Sequence, residues 1–445
     1  MKTLLRLPLV LSPGLPCQVQ ATDETDGRAL PVALPRPASA RMKTHPLGFR
    51  CVILEMALGV MLPALSACAG LDAQHQSVQG SFQLQVLDSS IASPWLKTVG
   101  DLDGDGRTDI IVGGAESGGL VAYLNRFPKW ERQVIDPNRR FSTDGEVADL
   151  DGDGRRDLVV LTLRPDTVTR YRRTESGWSP QILTRQTWHD LEVADFDGDG
   201  HLDIVGRNQR EWPAKEDAGN RLHFLWQRRQ GTNIVWEESH VDCPAGEGLL
   251  AADLDGDGDC DIVINGGWYE NLGHRQWKAH AFARPQDWAH PNTFIACADF
   301  NHDGRLDIVL APSELKGGRY RIAWFEAPAD PRQEGWKAHI IVPEVETVCH
   351  FVGAADFDGD GRADVVYAQM PQGADPDFVK VLFNRGVSGA KGWTDAWEPW
   401  IISEDGSHSM RVLDADGDGR PDLLGANWSA QGRDQNVKLW LNRLK

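Results

Sequence analysis

Residues 101–109 read Asp-Leu-Asp-Gly-Asp-Gly-Arg-Thr-Asp, and six later stretches repeat the pattern Asp-x-Asp/Asn-x-Asp-Gly-x-x-Asp. The leading residues are Asp101, Asp149, Asp195, Asp253, Asp299, Asp356 and Asp414, separated by 48, 46, 58, 46, 57 and 58 residues. A motif recurring at this period marks a propeller or a solenoid, in which each repeat buries its apolar faces only by stacking on its neighbours.

The loop itself brings four carboxylates within nine residues: Asp101, Asp103, Asp105 and Asp109, with Gly106 at the sharp turn. Left alone, such charges repel. A hard dication that accepts six to eight oxygens in irregular geometry resolves the repulsion, and Ca²⁺ is that ion. The equivalent sets are Asp149, Asp151, Asp153 and Asp157; Asp195, Asp197, Asp199 and Asp203; Asp253, Asp255, Asp257 and Asp261; Asp356, Asp358, Asp360 and Asp364; and Asp414, Asp416, Asp418 and Asp422. The fifth copy is Asp299, Asn301, Asp303 and Asp307, with His302 in place of a small residue, and is expected to bind most weakly. Up to seven Ca²⁺ ions follow. An EF-hand is excluded, because its twelfth position requires a bidentate Glu. Here that position holds Val112, Val160, Gly206, Ile264, Leu310, Tyr367 and Gly425.

Aligning the copies shows four strand-like segments per repeat. A small, apolar run such as Val352-Gly353-Ala354-Ala355 precedes the loop, and a β-branched run such as Ile110-Ile111-Val112 follows it. A third segment is aromatic (Ile322-Ala323-Trp324-Phe325), and a fourth opens on Trp (Trp277-Lys278-Ala279-His280). Four strands in each of seven repeats predict an all-β fold, a seven-bladed β-propeller spanning residues 82–445. The last repeat ends after its third segment, while Phe82-Gln83-Leu84-Gln85-Val86-Leu87 alternates before any loop. That orphan segment is predicted to complete the seventh blade and close the ring, leaving no exposed edge.

These loops, their place between the first and second strands, and the count of seven resemble the FG-GAP or VCBS-type repeats of integrin α-subunits and many bacterial exported proteins. The resemblance implies Ca²⁺ on one rim and ligands met on the opposite rim. It leaves activity open, since the family contains adhesion and scaffold proteins as well as some carbohydrate-active enzymes.

The formal charge is −19; residues 1–67 contribute +3, so the chain from Cys68 onward carries −22, and seven Ca²⁺ would bring it to about −8. The acidity is therefore metal-ligand inventory. With no basic stripe, nucleic acid is not an expected partner. Residues 1–41 are Pro-, Arg- and Ala-rich without periodicity and read as an upstream extension. Residues 42–67 read as a signal peptide: Met42, Lys43 and Arg50 precede an apolar run to Leu65 that is too short and interrupted to span a membrane. The run ends in Leu65-Ser66-Ala67-Cys68, which resembles a bacterial lipobox and implies a lipid anchor on Cys68, followed by a linker over 68–81. An ordinary signal peptide cut nearby is the alternative, and either implies export. Cys243, Cys260, Cys297 and Cys349 do not follow the repeat and suggest no disulfide framework.

On the rim opposite the acidic loops, six residues before each leading Asp, stand Trp95, Thr143, His189, Glu247, Thr293, His350 and His408. Connections on the same side add Arg139, Arg140, Asp144, Trp188, Asp190, Arg207, Arg210, Trp212, Trp288, His290 and Trp428. Aromatic faces stack on sugar rings, arginines pair with carboxylates and histidines move protons near neutral pH. The candidate ligand-binding set is Trp95, Trp188, His189, Arg207, Arg210, Glu247, His350 and His408, for a glycan or another extracellular ligand. If the protein is an enzyme, His189, His350 and His408 are the catalytic candidates, in a lyase or dehydratase acting on uronate-containing carbohydrate. A protein-adhesion module is a further alternative. A zinc site from those three histidines requires a throat narrow enough to bring them together. His280 and His339, on outermost strands, are expected to be structural.

Overall fold

The computed structural model describes residues 81–209, 219–231, 233–389, 392–428 and 434–444. Seven four-stranded antiparallel sheets follow one another as blades, and no helix occurs among the described residues. In the first blade the strands are Ala92–Gly100, Asp109–Ser117, Leu120–Arg126 and Lys129–Asp136, hydrogen-bonded in sequence order. The same up-and-down order builds blades two to six. A two-stranded ribbon, Val387–Gly389 with Gly392–Thr394, is added to the sixth.

The seventh blade confirms the predicted closure. Its outermost strand is Phe82–Asp88, antiparallel to Val437–Asn442, with Phe82 opposite Asn442 and Gln85 opposite Leu439. Asp88, at the end of this strand, accepts hydrogen bonds from Tyr123 Oη (2.5 Å) and Arg132 Nε (2.9 Å) of blade one. Closing the ring therefore uses one strand of main-chain pairing and one charged latch.

Burial explains why the repeats form a ring rather than a row. Each of seven apolar clusters fills the space between two neighbouring blades. One joins Leu413, Leu424 and Leu439 of blade seven to Val99, Ile110 and Val121 of blade one, so no blade face is left uncovered. Buried apolar area contributes roughly 25 cal/mol per Å², and a terminal blade of an open row would forfeit that on one face.

The acidic loops are part of this architecture. The second strand of every blade begins on the ninth loop residue: Asp109, Asp157, Asp203, Asp261, Asp307, Asp364 and Asp422. Asp364 shows its role. One oxygen accepts the Phe357 N–H (2.8 Å), and the other accepts the Asn384 N–H from the third strand (2.8 Å). The Asn384 side chain in turn donates to the Phe300 carbonyl of the preceding blade (2.9 Å). Asn125, Asn271 and Asn442 make the same inter-blade bond to Ala415, Phe196 and Phe357. The loop thus fixes its own blade and the spacing to the one before.

Candidate functional site

The two rims of the ring differ in kind. On the first, the seven acidic loops join the first and second strands of their blades, as the sequence predicts. In the first loop Asp101 Oδ1 accepts the Gly104 and Asp105 N–H groups (2.8 and 3.0 Å), and Oδ2 accepts that of Gly106 (2.9 Å). Gly106 has φ 84°, in the left-handed region that a side chain disfavours. At the fourth loop position six copies have Gly, whereas His302 adopts φ 59° there.

Arginines flank the carboxylates. Arg126 pairs with Asp103 and Asp105, Arg228 with Asp197 and Asp199, Arg332 with Asp255, Arg385 with Asp358 and Asp360, and Arg443 with Asp416 and Asp418. They leave part of each set unmatched. Asp103, Asp151 and Asp197 each give Oδ2 to an arginine, while Oδ1 is buried without a partner. A buried oxygen with no donor is costly, and a cation within the loop would supply what is missing. Clusters such as Asp101, Asp103 and Asp109, or Asp253, Asp255 and Asp261, have carboxylate oxygens within 4.8 Å of one another and could hold a metal ion. Without one, burial pushes Asp203, Asp261 and Asp364 up to about 8, although their backbone hydrogen bonds favour the charged form.

The second loop departs from the others. Arg170, whose side chain is 3% exposed, reaches both Asp151 (Nη2 to Oδ2, 2.6 Å) and Asp157 (Nε to Oδ2, 2.9 Å). Arg172 also pairs with Asp151 and Asp153. Here the chain's own guanidinium groups already neutralise much of the cluster.

On the opposite side the first strands converge on a throat that is filled and charged. His189 of blade three lies 5.7 Å from His350 of blade six between ring centroids, and His350 stacks on His408 of blade seven at 4.0 Å. Side chains three blades apart meet only across the axis, so the throat is narrow. His350 Nε2 is 2.6 Å from Glu314 Oε1, and His189 Nδ1 is 3.0 Å from Asp190 Oδ1 and 3.7 Å from Glu247 Oε2. Deeper in, Arg411 of blade seven donates to Asp144 of blade two (2.6 Å), and Lys97 is fully buried, with its ammonium on the Pro94 and Trp95 carbonyls.

Titration is shifted strongly in this enclosure. Burial disfavours charge on His189, yet Asp190 and Glu247 together lift it to about 10. Burial, opposed by His189, pushes Glu247 up to about 8. Burial holds His350 below the usual range, against the pull of Glu314; His408, beside His350 and Lys97, is depressed further. Burial and Asp144 raise Glu146 to about 8, and burial with Glu146 raises Glu192 well above its ordinary value.

The structure distributes the sequence-predicted residues unevenly. His189, Glu247, His350 and His408 meet in the throat, and Trp95 stands at its mouth, half-buried, 5.4 Å from Trp428 and 6.2 Å from His408. Trp188 is 4% exposed and packs in the core between blades two and three, its ring lying where a Cβ on Gly206 would be. Arg207 is fully buried, and its guanidinium donates to the carbonyls of Gly219, Pro244 and Gly248. Arg210, Trp212 and Cys68 lie outside the described residues. Trp288 is core, and His290 Nε2–H donates to the Ser313 carbonyl (2.7 Å). His280 and His339 are structural as expected, stacked on Trp268 and Trp324 and paired with Glu270 and Glu326. Sequence reasoning missed Lys97, Glu146, Glu192, Glu314 and Arg411. Their signal was charge within otherwise apolar first strands, except for Glu314, which lies in the turn between the second and third strands of blade five.

The FG-GAP-like repeat family matches residues 101–160, 149–206, 253–310, 299–367 and 356–425. These segments cover more than half of the chain, which therefore belongs to that family. No curated protein sequence matches significantly. Among solved structures, the chain is similar to an Agrocybe aegerita lectin that recognises non-reducing terminal N-acetylglucosamine, at 16% identity and TM-score 0.48, covering 80% of this chain and 87% of the lectin. It is also similar to a Bacillus licheniformis rhamnogalacturonan lyase, at 15% identity and TM-score 0.44 over 82% of this chain and 76% of the lyase. A sialidase from Streptococcus pneumoniae is similar at 13% identity and TM-score 0.43, over 82% and 71%.

Proposed function

We propose that this FG-GAP propeller is exported, is held together by Ca²⁺ in its acidic loops, and binds a glycan at the mouth of its throat. Export rests on the leader, ending at Cys68 in a lipobox-like sequence that would anchor the protein to a bacterial outer membrane or cell surface. Calcium rests on the orphaned Oδ1 atoms of Asp103, Asp151 and Asp197, aimed at no donor within the chain. In each loop the first, third and fifth residues, with the ninth beside them, would hold the ion. The ninth, with both oxygens on backbone N–H groups in loops such as the sixth, would set the loop's shape.

The glycan reading is carried by one observation. Trp95 and Trp428 stand together at the throat mouth, both half-buried, with ring centroids 5.4 Å apart. A pair of partly exposed indole faces suits a sugar ring, which presents C–H surface for stacking. The throat beneath is filled by His189, His350 and His408, so the ligand sits on the mouth rather than threading the ring.

The shifted groups favour a second reading. Glu247, raised to about 8, lies 3.7 Å from the less deeply buried His189, lifted to about 10, and such a pair could relay a proton to a substrate, as a uronate lyase or sugar dehydratase requires.

The test is retention of the full chain on a glycan array in calcium. Trp95→Ala and Trp428→Ala should each weaken retention on the order of tenfold, as loss of about 1 kcal/mol or more of ring stacking implies. Retention unchanged in both variants, or no glycan retained by the wild type, overturns the binding reading. An ultraviolet-absorbing unsaturated product from a uronate polymer, lost in Glu247→Gln, would favour the enzyme.

A further inference from the structure

The throat contains a second, chemically distinct metal-ligand set. His189, Glu247 and His350 each offer one ligand atom, and these atoms lie within 4.8 Å of one another. The residues come from blades three, four and six, so only the closed ring brings them together. We propose that this trio binds one divalent transition-metal ion, of the Zn²⁺, Fe²⁺ or Co²⁺ class.

Three features carry the assignment. The first is unpartnered ligand atoms. Glu247 is fully buried and its Oε2 has no hydrogen-bond partner; His350 is 1% exposed and its Nδ1 has none. Both would be desolvated at a cost unless something occupies the gap between them.

The second is an outer shell that orients them. Glu314 Oε1 accepts the hydrogen bond from His350 Nε2–H (2.6 Å), which fixes that tautomer and leaves Nδ1 with its lone pair free. Ser313 Oγ donates to Glu247 Oε1, which leaves Oε2 as the atom available for coordination. Asp190 holds His189 at 3.0 Å through Nδ1. Metal-bound histidines are oriented by carboxylates in this way.

The third is the donor set. Two imidazoles and one carboxylate suit borderline transition metals, whereas Ca²⁺ and Mg²⁺ take all-oxygen cages like those on the other rim. His408 is not a fourth ligand. Its ring lies nearly parallel to that of His350, at 16° and 4.0 Å, so their in-plane lone pairs do not converge, and its Nδ1 is 2.9 Å from Ser409 Oγ.

The experiment uses the full chain, stripped of metal and then saturated with Ca²⁺ so that the acidic loops are filled. Co²⁺ is titrated in and its visible absorption is read, with Zn²⁺ uptake measured in parallel by elemental analysis. The expected result is one equivalent of either ion and the absorption of a nitrogen- and oxygen-ligated Co²⁺, displaced by Zn²⁺. Glu247→Gln and His350→Gln should lose at least tenfold in affinity, while Val387→Ser, on the exposed ribbon of blade six, should leave uptake unchanged. Calcium-dependent melting of each variant checks that it folds. Absence of Co²⁺ and Zn²⁺ uptake by the calcium-loaded wild type overturns the proposal even if a variant fails to fold. Uptake that survives both throat substitutions in folded protein also overturns it.

Discussion

The loop rim and the throat are built from adjacent segments of the same repeats, yet they follow opposite rules. On the rim one solution is used seven times: a leading Asp capping its own turn, flanking carboxylates, and a ninth Asp that starts the second strand. In the throat nothing repeats. The equivalent register contributes an indole, two hydroxyls, three histidines and a carboxylate. Repetition belongs to what every blade needs, namely its fold and its spacing. Departure from repetition belongs to what the molecule needs only once, which is why the throat rather than the rim carries the candidate chemistry.

The harshest way to break this comparison is to open the ring. Deleting residues 82–87 removes the outer strand of blade seven and exposes the edge of Val437–Asn442. The truncated chain should lose cooperative unfolding and aggregate, and throat and rim should fail together. Deleting residues 69–79 should leave the melting curve unchanged. If the two deletions behave alike in scanning calorimetry and light scattering, the closing strand is not what unites the two regions.

Acid titration separates the closing latch from the throat, because the two should respond with opposite sign. At the outer edge, burial raises Asp88, but hydrogen bonds from Ser90, Tyr123 and Arg132 hold it down to about 2. Its folded value is depressed, so its stabilisation is present above about pH 4 and is lost as pH falls through 2. Asp88→Asn should therefore cost about 1–3 kcal/mol at neutral pH, the loss of hydrogen bonds to a charged group, and almost nothing near pH 2. In the throat, Glu146 is raised to about 8. Its contribution is greatest below about pH 4.5 and falls as pH rises toward 8, so Glu146→Gln should flatten the stability profile between those values. Denaturant midpoints across pH decide both. Parallel profiles for the two variants would contradict the difference drawn here.

The smallest effect lies within the rim. His302 adopts φ 59° where the other six loops have Gly at the same position. His302→Gly should stabilise the chain by about 1 kcal/mol, the penalty of a left-handed side-chain residue. No gain in melting temperature would mean that His302 makes compensating contacts.

The rim was legible from sequence because seven copies average out local accident. The carboxylate spacing, the strand that follows each loop and the orphan segment at 82–87 all appear in the structure, the strand starting one residue earlier than read, on the ninth loop residue itself. The throat was half legible. Counting six residues back from each leading Asp placed His189, Glu247, His350 and His408 on one ring, but not their distances, which depend on how tightly seven blades close. Arg207 and Trp188 show the limit. A lone Arg or Trp near a strand end reads as a surface group when its neighbours in space are unknown. A signal was nonetheless present for each. The positions equivalent to Arg207 include Gly113, Leu161, Ala311, Ala368 and Ala426, all buried, and Gly206 makes room for Trp188. Glu314 could not be found by register, since it lies in an unrepeated turn at φ 69°.

The central claim is that the repeated rim is a calcium scaffold on which the unrepeated throat depends. It is tested most directly by counting bound calcium in the purified full chain and melting the same sample with and without EDTA. The account predicts six or seven Ca²⁺ per chain, and the second loop, already neutralised by Arg170 and Arg172, replaces the fifth as the first expected to be empty. Each site saturated at a hundredfold excess over its dissociation constant would add about 2.7 kcal/mol, so EDTA should lower the melting temperature sharply. Ca²⁺ should restore it where Mg²⁺ does not. A calcium-free protein whose melting curve is unmoved by EDTA would contradict the claim.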